Sequence, residues 1–252
     1  MLNEPTFEKL KALRLPALAA AWQAQQHDPA LGDLGFDERL GLLVEAEWLA
    51  RENKRLTTAL REAKLRLSHA CVEAIDYPVR RELERAVVRQ LATCSWVAEH
   101  HNVLITGMTG TGKTFVACAL AQQACRRGYR ALYRRVPRLC EELTLAHADG
   151  GYLWLLAKLA RADVLILDDW ALGPFRDQDR RDLLEILEDR SGNRATILTS
   201  QLAPAEWHDH INDPTIADAI CDRLLHQAHR LVLKGPSRRK EPPTEEPSEV
   251  QP

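Results

Sequence analysis

The sequence predicts an α/β fold with a five-stranded parallel sheet, preceded by a small all-helical domain. From Asn102 onward, short apolar segments alternate with amphipathic ones, which is the pattern of parallel strands joined by helices that cover both faces of a sheet. We expect strands at 102–106, 130–134, 163–167, 195–199 and 230–233. Helices are expected at 113–127, 137–147, 151–161, 177–190, 204–210 and 214–228, with Gly128 as a C-cap and Pro137 in a first turn.

The first part of the chain has a helical composition. Residues 6–70 are rich in Leu, Ala, Glu, Lys and Arg, and the helix breakers cluster around Asp28, Pro29, Gly32 and Gly35. Small or apolar residues, with one Asn, recur at spacings of four and three along one long helix: Leu42, Ala46, Leu49, Asn53, Leu56, Leu60, Ala63 and Leu67. This seam either packs against the first helix or contacts another subunit.

Composition limits the class of protein. The formal net charge is −2, so attraction to nucleic acid has to come from local patches. The six cysteines form no CxxC pair, which argues against a zinc finger or a redox dithiol. The N-terminus lacks a signal sequence and no apolar run is long enough to span a membrane, so we expect a cytoplasmic protein that does not enter membranes. The expected domains are a helical one at 1–70, the α/β domain at 71–240 and a disordered, acidic, proline-rich tail at 241–252.

A phosphate-binding loop follows the first strand. The pattern GxxxxGK[ST] lies between that strand and a helix, and its residues are Gly107, Met108, Thr109, Gly110, Thr111, Gly112, Lys113 and Thr114. The glycines let consecutive backbone N–H groups point at a β-phosphate, and the helix N-terminus adds positive partial charge. We expect Lys113 to bridge the β- and γ-phosphates of ATP and the Thr114 hydroxyl to hold Mg²⁺.

A second apolar strand ends in two acids. Val164-Leu165-Ile166-Leu167 is followed by Asp168 and Asp169, at the carboxyl end of a buried parallel strand. Asp168 is the candidate for the Mg²⁺ shell, bound through water, and Asp169 for the base that orients and deprotonates the attacking water. Aspartate at the second position is one methylene shorter than glutamate, so we expect slow hydrolysis.

The two motifs, in this order, resemble those of ATPases of the AAA+ type. The resemblance assigns Ser200 and Gln201, at the end of the fourth strand, to the sensor position that touches the γ-phosphate or the water; ordinary loop capping is the alternative. It assigns Arg223 to an arginine finger that acts on a neighbour's nucleotide, which implies a homo-oligomer with ATP at subunit interfaces. An ion pair with Asp218 or Asp222 is the alternative for Arg223.

Together these features resemble the IstB family, helper ATPases encoded beside the transposase in one class of bacterial insertion sequences, and more distantly the DnaC helicase loaders. The resemblance covers nearly the whole chain and rests on the helical N-terminal region, GMTGTGKT, LILDDW, TILTSQL and the ending DRLLHQAHRLVLKGPSRRK. It implies ATP-dependent oligomerisation on double-stranded DNA, and recruitment and stimulation of a cognate transposase. The ending departs mildly from the family pattern, which leaves the role of Arg238 and Arg239 open.

Two basic clusters are candidates for contact with DNA. Residues 51–70 carry six Lys or Arg against two acids, and a second cluster spans 126–138. Such clusters neutralise phosphates without reading bases, and the candidate residues are Lys54, Arg55, Arg134, Arg135 and Arg138. Solvated helix faces are the alternative for both clusters.

Three other functions use the same motifs. A helicase loader would use the same ATP site but would prefer single strands. A small-molecule P-loop kinase would leave the helical N-terminal domain without a role. A nucleotide switch that does not hydrolyse ATP is favoured if Asp169 fails to position water.

Overall fold

The computed structural model describes residues 3–31 and 33–237 and divides the chain into two compact units between Thr58 and Ala59. The division falls inside a long helix, whereas the sequence analysis placed the boundary after residue 70. The predicted tail at 241–252 lies outside the described residues. None of the helices in the described ranges combines the length and apolarity needed to cross a membrane.

The first unit is helical, as the composition predicts. It contains α1 (Asn3–Ala12), α2 (Pro16–Gln25), a 3-10 helix (Pro29–Leu31) and most of α3 (Phe36–Ala63). The break before α2 was not predicted. Arg14 has a left-handed backbone there, with φ 60°, and Pro16 opens the next helix. The carboxylate of Glu47 stabilises this helix start, because it accepts hydrogen bonds from Ala17 N at 2.9 Å and Leu18 N at 3.1 Å.

The face of α3 that is buried in this unit is not the predicted seam. Leu43 and Glu47, four residues apart, are the buried positions, whereas the seam residues Leu42 and Leu49 remain about half exposed (48% and 50%). Packing against the first helix is therefore wrong for Leu42 and Leu49. The alternative, a contact with another subunit, stays a prediction.

The second unit is the α/β domain. After two 3-10 helices (Val72–Ala74 and Val79–Arg81) and the short helices α4 (Arg85–Ala92) and α5 (Ser95–Ala98), strands and helices alternate. The strands are β1 (Asn102–Gly107), β2 (Ala131–Arg135), β3 (Val164–Trp170), β4 (Ala195–Ser200) and β5 (Ala228–Leu233). The helices between them are α6 (Lys113–Arg126), α7 (Val136–Asp149), α8 (Tyr152–Arg161), α9 (Asp177–Arg190), α10 (Trp207–Ile211, after a 3-10 turn Pro204–Glu206) and α11 (Pro214–Leu225).

All five strands are parallel, in the order β2-β3-β4-β1-β5. Helices on both faces bury β3 and β4 almost completely, which explains why these strands are apolar throughout rather than alternating. The carboxyl ends of β1, β3 and β4 lie side by side, with β4 in the middle. This edge collects the phosphate loop, the two aspartates and the polar end of β4, as the sequence analysis expected.

Candidate active site

The phosphate loop joins β1 to α6. Its glycines Gly107, Gly110 and Gly112 have φ values of 144°, 87° and 91°, which favour residues without a side chain. A Cβ atom on Gly107 would lie 2.1 Å from the carbonyl oxygen of Leu233, the last residue of β5. The glycines therefore serve both the curl of the loop and its close approach to β5.

Lys113 points into this loop. Its Nζ donates hydrogen bonds to the carbonyl oxygens of Gly107 at 2.6 Å and Met108 at 2.9 Å, and only 8% of the residue is exposed. The Thr111 hydroxyl also donates to Met108 O, at 2.9 Å. The cation is thus held against the backbone of the predicted phosphate loop.

Asp168 is the centre of a buried hydroxyl cluster. It is fully buried and accepts hydrogen bonds from three hydroxyl groups: Thr114 at 3.0 and 3.1 Å, Tyr133 at 2.6 Å and Thr199 at 2.5 Å. Burial, followed by this contact with Asp168, raises the pKa of Tyr133, so its hydroxyl stays protonated and donates. The Thr114 hydroxyl and the Asp168 carboxylate are hard oxygen donors at one point, and they fit Mg²⁺.

Asp169 follows on an irregular stretch of β3. The strand register with β4 shifts between Leu167 and Trp170, and Asp169 has a left-handed backbone with φ 60°. Its N–H donates to the Thr199 hydroxyl at 3.1 Å. This bulge turns the carboxylate of Asp169 away from the position that regular alternation would give it, a feature common next to active sites.

Two arginines of the same chain reach these aspartates. Arg135 Nε donates to Asp169 Oδ2 at 2.6 Å. Arg66 Nη1 lies 3.6 Å from Asp168 Oδ2 and 3.7 Å from Asp169 Oδ2, and its hydrogen bond with Tyr133 raises the pKa of Arg66. Arg135 was predicted to contact DNA, and Arg66, Tyr133 and Thr199 were not predicted as site residues.

At the polar end of β4, successive side chains point to opposite sides of the strand, and only some of them reach the site. Ser200 is fully buried and donates to Trp170 O at 3.1 Å, on the opposite side of the strand from the cluster. Thr199, one residue earlier, contacts Asp168, and Gln201 accepts a hydrogen bond from Thr109 at 2.7 Å. The structure therefore places Gln201 in the lining of the cavity over the phosphate loop, and it places the Thr199 hydroxyl, rather than that of Ser200, against Asp168.

A cavity of about 850 Å³ lies over these groups. Its lining includes residues of the phosphate loop, Asp169 and Gln201, and also Leu67, His69 and Phe115. Its volume is typical of small-molecule and cofactor sites.

A buried cation that the sequence analysis missed also borders this cavity. Arg81 is 3% exposed, and its Nη1 donates to the carbonyl and the carboxylate of Asp76, both at 3.0 Å. A Cβ atom on Gly112 would lie 2.6 Å from Arg81 Nη2. Arg81 therefore packs directly against the start of the loop helix α6.

Arg223 lies at the opposite edge of the sheet from its own phosphate loop. Its carbonyl oxygen accepts from the side chain of Asn102, which begins β1, whereas the loop follows the end of β1. The guanidinium donates to Ala219 O at 2.8 Å and pairs with Glu188 at 2.5 Å, rather than with Asp218 or Asp222. Arg223 is thus remote from the phosphate loop and the cavity of its own chain.

The predicted DNA residues separate into different environments. Lys54 and Arg55 lie on α3 in the first unit, where Arg55 is 3.6 Å from Glu52. Arg134 is largely buried, Arg135 is bound to Asp169, and Arg138 is exposed on α7. Arg238 and Arg239 lie outside the described residues.

Curated insertion-sequence proteins are similar to this chain over most of its length. A putative insertion sequence ATP-binding protein of Sinorhizobium fredii, y4pL, is 47% identical over 240 residues, which cover 95% of this chain and 98% of the relative. A putative ATP-binding protein of insertion sequence IS1162 from Pseudomonas fluorescens is 48% identical, covering 80% and 87%. A putative ATP-binding protein in an insertion sequence of Mycobacterium tuberculosis is 33% identical, covering 91% and 92%.

Solved structures show the same fold. The crystal structure of DnaI aligns with a TM-score of 0.58 at 22% identity, covering 66% of this chain and 92% of that one. The DnaC helicase loader aligns with a TM-score of 0.54 at 20% identity, covering 66% and 97%. This likeness, together with the five-stranded parallel sheet, confirms the predicted fold class. The model of the family described as IstB-like ATP binding protein matches residues 8–245, and the chain belongs to that family.

Proposed function

We propose that this protein is a DNA-binding helper ATPase of DNA transposition, which assembles on duplex target DNA and recruits or stimulates a cognate transposase. The observation that carries the ATPase is the meeting of Lys113, Thr114, Asp168 and Asp169 at one sheet edge, under a cavity of about 850 Å³. The connection with transposition is supported by the relatives, which are named as ATP-binding proteins of insertion sequences.

Each side chain of the site has its own role in ATP hydrolysis. Lys113 and the N–H groups of the loop bind the phosphates, and Thr114 with Asp168 would hold Mg²⁺, which neutralises charge on the transferred phosphoryl group. Asp169 orients the attacking water and accepts its proton, while Arg135 holds the Asp169 carboxylate. Because aspartate is short for this task, turnover is slow.

Assembly is supported by two features outside the ATP cavity. Arg223 cannot serve its own loop from the amino end of β1, so any contact of its guanidinium with a nucleotide has to be with that of a neighbouring subunit. On α3, four large apolar side chains at a spacing of four residues are exposed by 43% to 70%: Phe36, Leu40, Val44 and Trp48. An exposed apolar stripe of this kind is typical of a surface that binds another protein chain.

Hydrolysis of radiolabelled ATP, with and without duplex DNA, tests the proposal. We expect slow turnover that changes when duplex is added and that Lys113→Ala abolishes, because Lys113 is the phosphate-binding cation of the loop. Turnover at the parent rate in Lys113→Ala would reject the site. A response to single strands alone would favour a helicase loader over a transposition helper.

A further inference from the structure

A second cavity, of about 530 Å³, adjoins the ATP cavity. The two cavities have Arg66 and Arg135 in common, so these side chains form part of the wall between them. The second cavity is lined by five cationic side chains and two acidic ones, and we call it the basic cleft. Its cations are Lys64, Arg66, Arg134, Arg135 and Arg138, and its acids are Glu141 and Glu142.

The two shared arginines are already neutralised from the other side. Arg135 is bound to Asp169, and Arg66 lies within 3.7 Å of both aspartates of the ATP site. The cations left to the cleft are therefore Lys64, Arg134 and Arg138. They come from two segments about seventy residues apart in sequence, which explains why no single basic run predicts the cleft.

Arg134 is the unusual member of this group. It is 8% exposed, and its Nη1 donates to the carbonyl of Tyr133 at 2.8 Å. Its acidic partner is Glu142, with an Nε to Oε2 distance of 3.2 Å, and that carboxylate is 41% exposed. A guanidinium this buried is costly unless its charge is well compensated, and a solvated carboxylate compensates it only in part.

The cations of the cleft also change the pKa of a nearby lysine, Lys158. Partial burial, and then the positive charges of Arg134 and Lys64, lower the pKa of Lys158 on α8. The cleft thus sets the three cations Lys64, Arg134 and Arg138 against the two glutamates of its lining, Glu141 and Glu142. The cleft carries excess positive charge, and an anion bound there would be stabilised.

The backbone also favours an anion in the basic cleft. Helix α7 is 14 residues long and begins at Val136, between the cleft residues Arg135 and Arg138. Its N-terminus brings the positive end of a helix dipole and its first N–H groups to the cleft. The described residues that line the cleft include no glycine-rich loop like that of the neighbouring ATP cavity, so a second nucleoside triphosphate is a poor match.

We propose that the basic cleft binds a phosphate group of the DNA backbone, with Lys64, Arg134 and Arg138 supplying the charge. This assignment rests on the proposed DNA-binding function and gives it a location in the α/β unit. It adds Lys64 to the contacts and assigns Arg135 to the ATP site. Because the contacts are to phosphate, they stabilise binding without reading sequence.

The test is the salt dependence of duplex binding by the full-length protein, measured by fluorescence anisotropy. The double variant Lys64→Gln/Arg138→Gln removes two exposed cations of the cleft. We expect the slope of log affinity against log salt to flatten by about two units and affinity at moderate salt to fall roughly tenfold. The control, Arg89→Gln/Arg181→Gln, removes the same charge from exposed positions outside the cleft and outside both basic clusters.

The results of the duplex-binding experiment distinguish the cleft assignment from the proposed DNA-binding function. If the cleft variant and the control change the slope equally, the cleft is not the contact, while DNA binding itself stands. If the parent protein binds no duplex, the proposed function and the cleft assignment both fail. If inorganic phosphate displaces duplex from the parent better than chloride at equal ionic strength, but not from the cleft variant, the cleft is a site for free phosphate. Unfolding midpoints equal to the parent's confirm that both variants are folded.

Discussion

Arg135 and Asp169 form a direct ion pair, with Arg135 Nε donating to Asp169 Oδ2 at 2.6 Å. They meet because β2 and β3 are parallel neighbours, and Arg135 pairs in register with Asp168 at the ends of the two strands. The positive charge of Arg135, which was predicted to contact DNA, is therefore paired with Asp169, the carboxylate proposed to activate water. The pair holds that carboxylate at the wall of the ATP cavity.

Asp169→Asn should separate nucleotide binding from hydrolysis. The amide keeps an oxygen that accepts from Arg135, so the side chain stays in place, but it cannot take a proton from water. We expect turnover to fall on the order of a hundredfold or more, with ATP affinity nearly unchanged. Single-turnover hydrolysis and binding of a fluorescent ATP analogue measure the two effects.

A matched control is Asp177→Asn, which changes an exposed aspartate that pairs with Arg180 at the start of α9. It should leave both quantities at the parent values. Loss of nucleotide binding in Asp169→Asn would show instead that Asp169 belongs to the metal shell.

Removing the hydroxyl of Thr199 should slow ATP turnover much more than removing the hydroxyl of Ser200. Thr199→Val keeps the side-chain shape but removes the 2.5 Å hydrogen bond to Asp168 and the acceptor for Asp169 N. Hydrogen bonds to charged groups contribute about 1.5–3 kcal/mol, so we expect turnover to fall roughly tenfold or more. Steady-state turnover across a Mg²⁺ titration checks this.

Ser200→Ala is the comparison, because its hydroxyl is used by Trp170 and Leu202 on the far side of β4. Its turnover should stay within about twofold of the parent, since the lost bonds affect local stability rather than the site. The reverse result, a silent Thr199→Val and a slow Ser200→Ala, would restore Ser200 as the sensor.

The sequence predicted what local patterns determine. Short apolar segments marked all five strands, and the phosphate loop is a contiguous motif, so the positions of Lys113 and Thr114 followed from local sequence while their roles stay predictions. Asp168 and Asp169 were found because ligands bind beyond the carboxyl ends of parallel strands, and a carboxylate placed there is costly unless it has a cation or a donor to bind.

The rest depends on side chains that converge from distant segments. Arg66, Tyr133 and Arg135 contact the aspartates from 34 to 103 positions away in the sequence, and no periodicity marks such contacts. Whether Thr199 or Ser200 contacts Asp168 depends on which face of the sheet each side chain points to at the end of β4. An apolar run does not reveal that. The break before α2 depends on Glu47, about thirty residues later in the chain.

Arg190 should be among the residues that stability depends on most. It is 1% exposed, and its guanidinium donates to the carbonyls of Leu159, Ala162 and Ala195 and to the Thr196 hydroxyl. Burial lowers the pKa of Arg190 to about 9, so the group is still charged at neutral pH. Arg190→Ala leaves buried carbonyls without donors, and we expect a loss of about 3–5 kcal/mol in unfolding free energy.

Urea unfolding followed by circular dichroism measures that loss. Arg181→Ala, at an exposed position of the same helix α9, should cost less than about 0.5 kcal/mol. Equal midpoints for the two variants would mean that the carbonyls around Arg190 find other donors.

Arg223 should act on the nucleotide of a neighbouring subunit. Its side chain is remote from its own loop, so an arginine finger there can work only in trans. Arg223→Ala should bind ATP almost normally yet lose turnover on the order of a thousandfold. Glu188→Gln is the control for the ion pair within the chain, since it removes the partner of Arg223 but keeps the cation.

The decisive measurement mixes Arg223→Ala with Lys113→Ala, each inactive alone, at equal concentration. In a random mixture about a quarter of the interfaces join an intact loop from the first variant to an intact arginine from the second, because head-to-tail contacts pair two different surfaces. Turnover should therefore recover to roughly a quarter of the parent value. A mixture that sediments as a co-assembly but stays inactive, together with a Glu188→Gln variant as slow as Arg223→Ala, would leave Arg223 as the partner of Glu188 and nothing more.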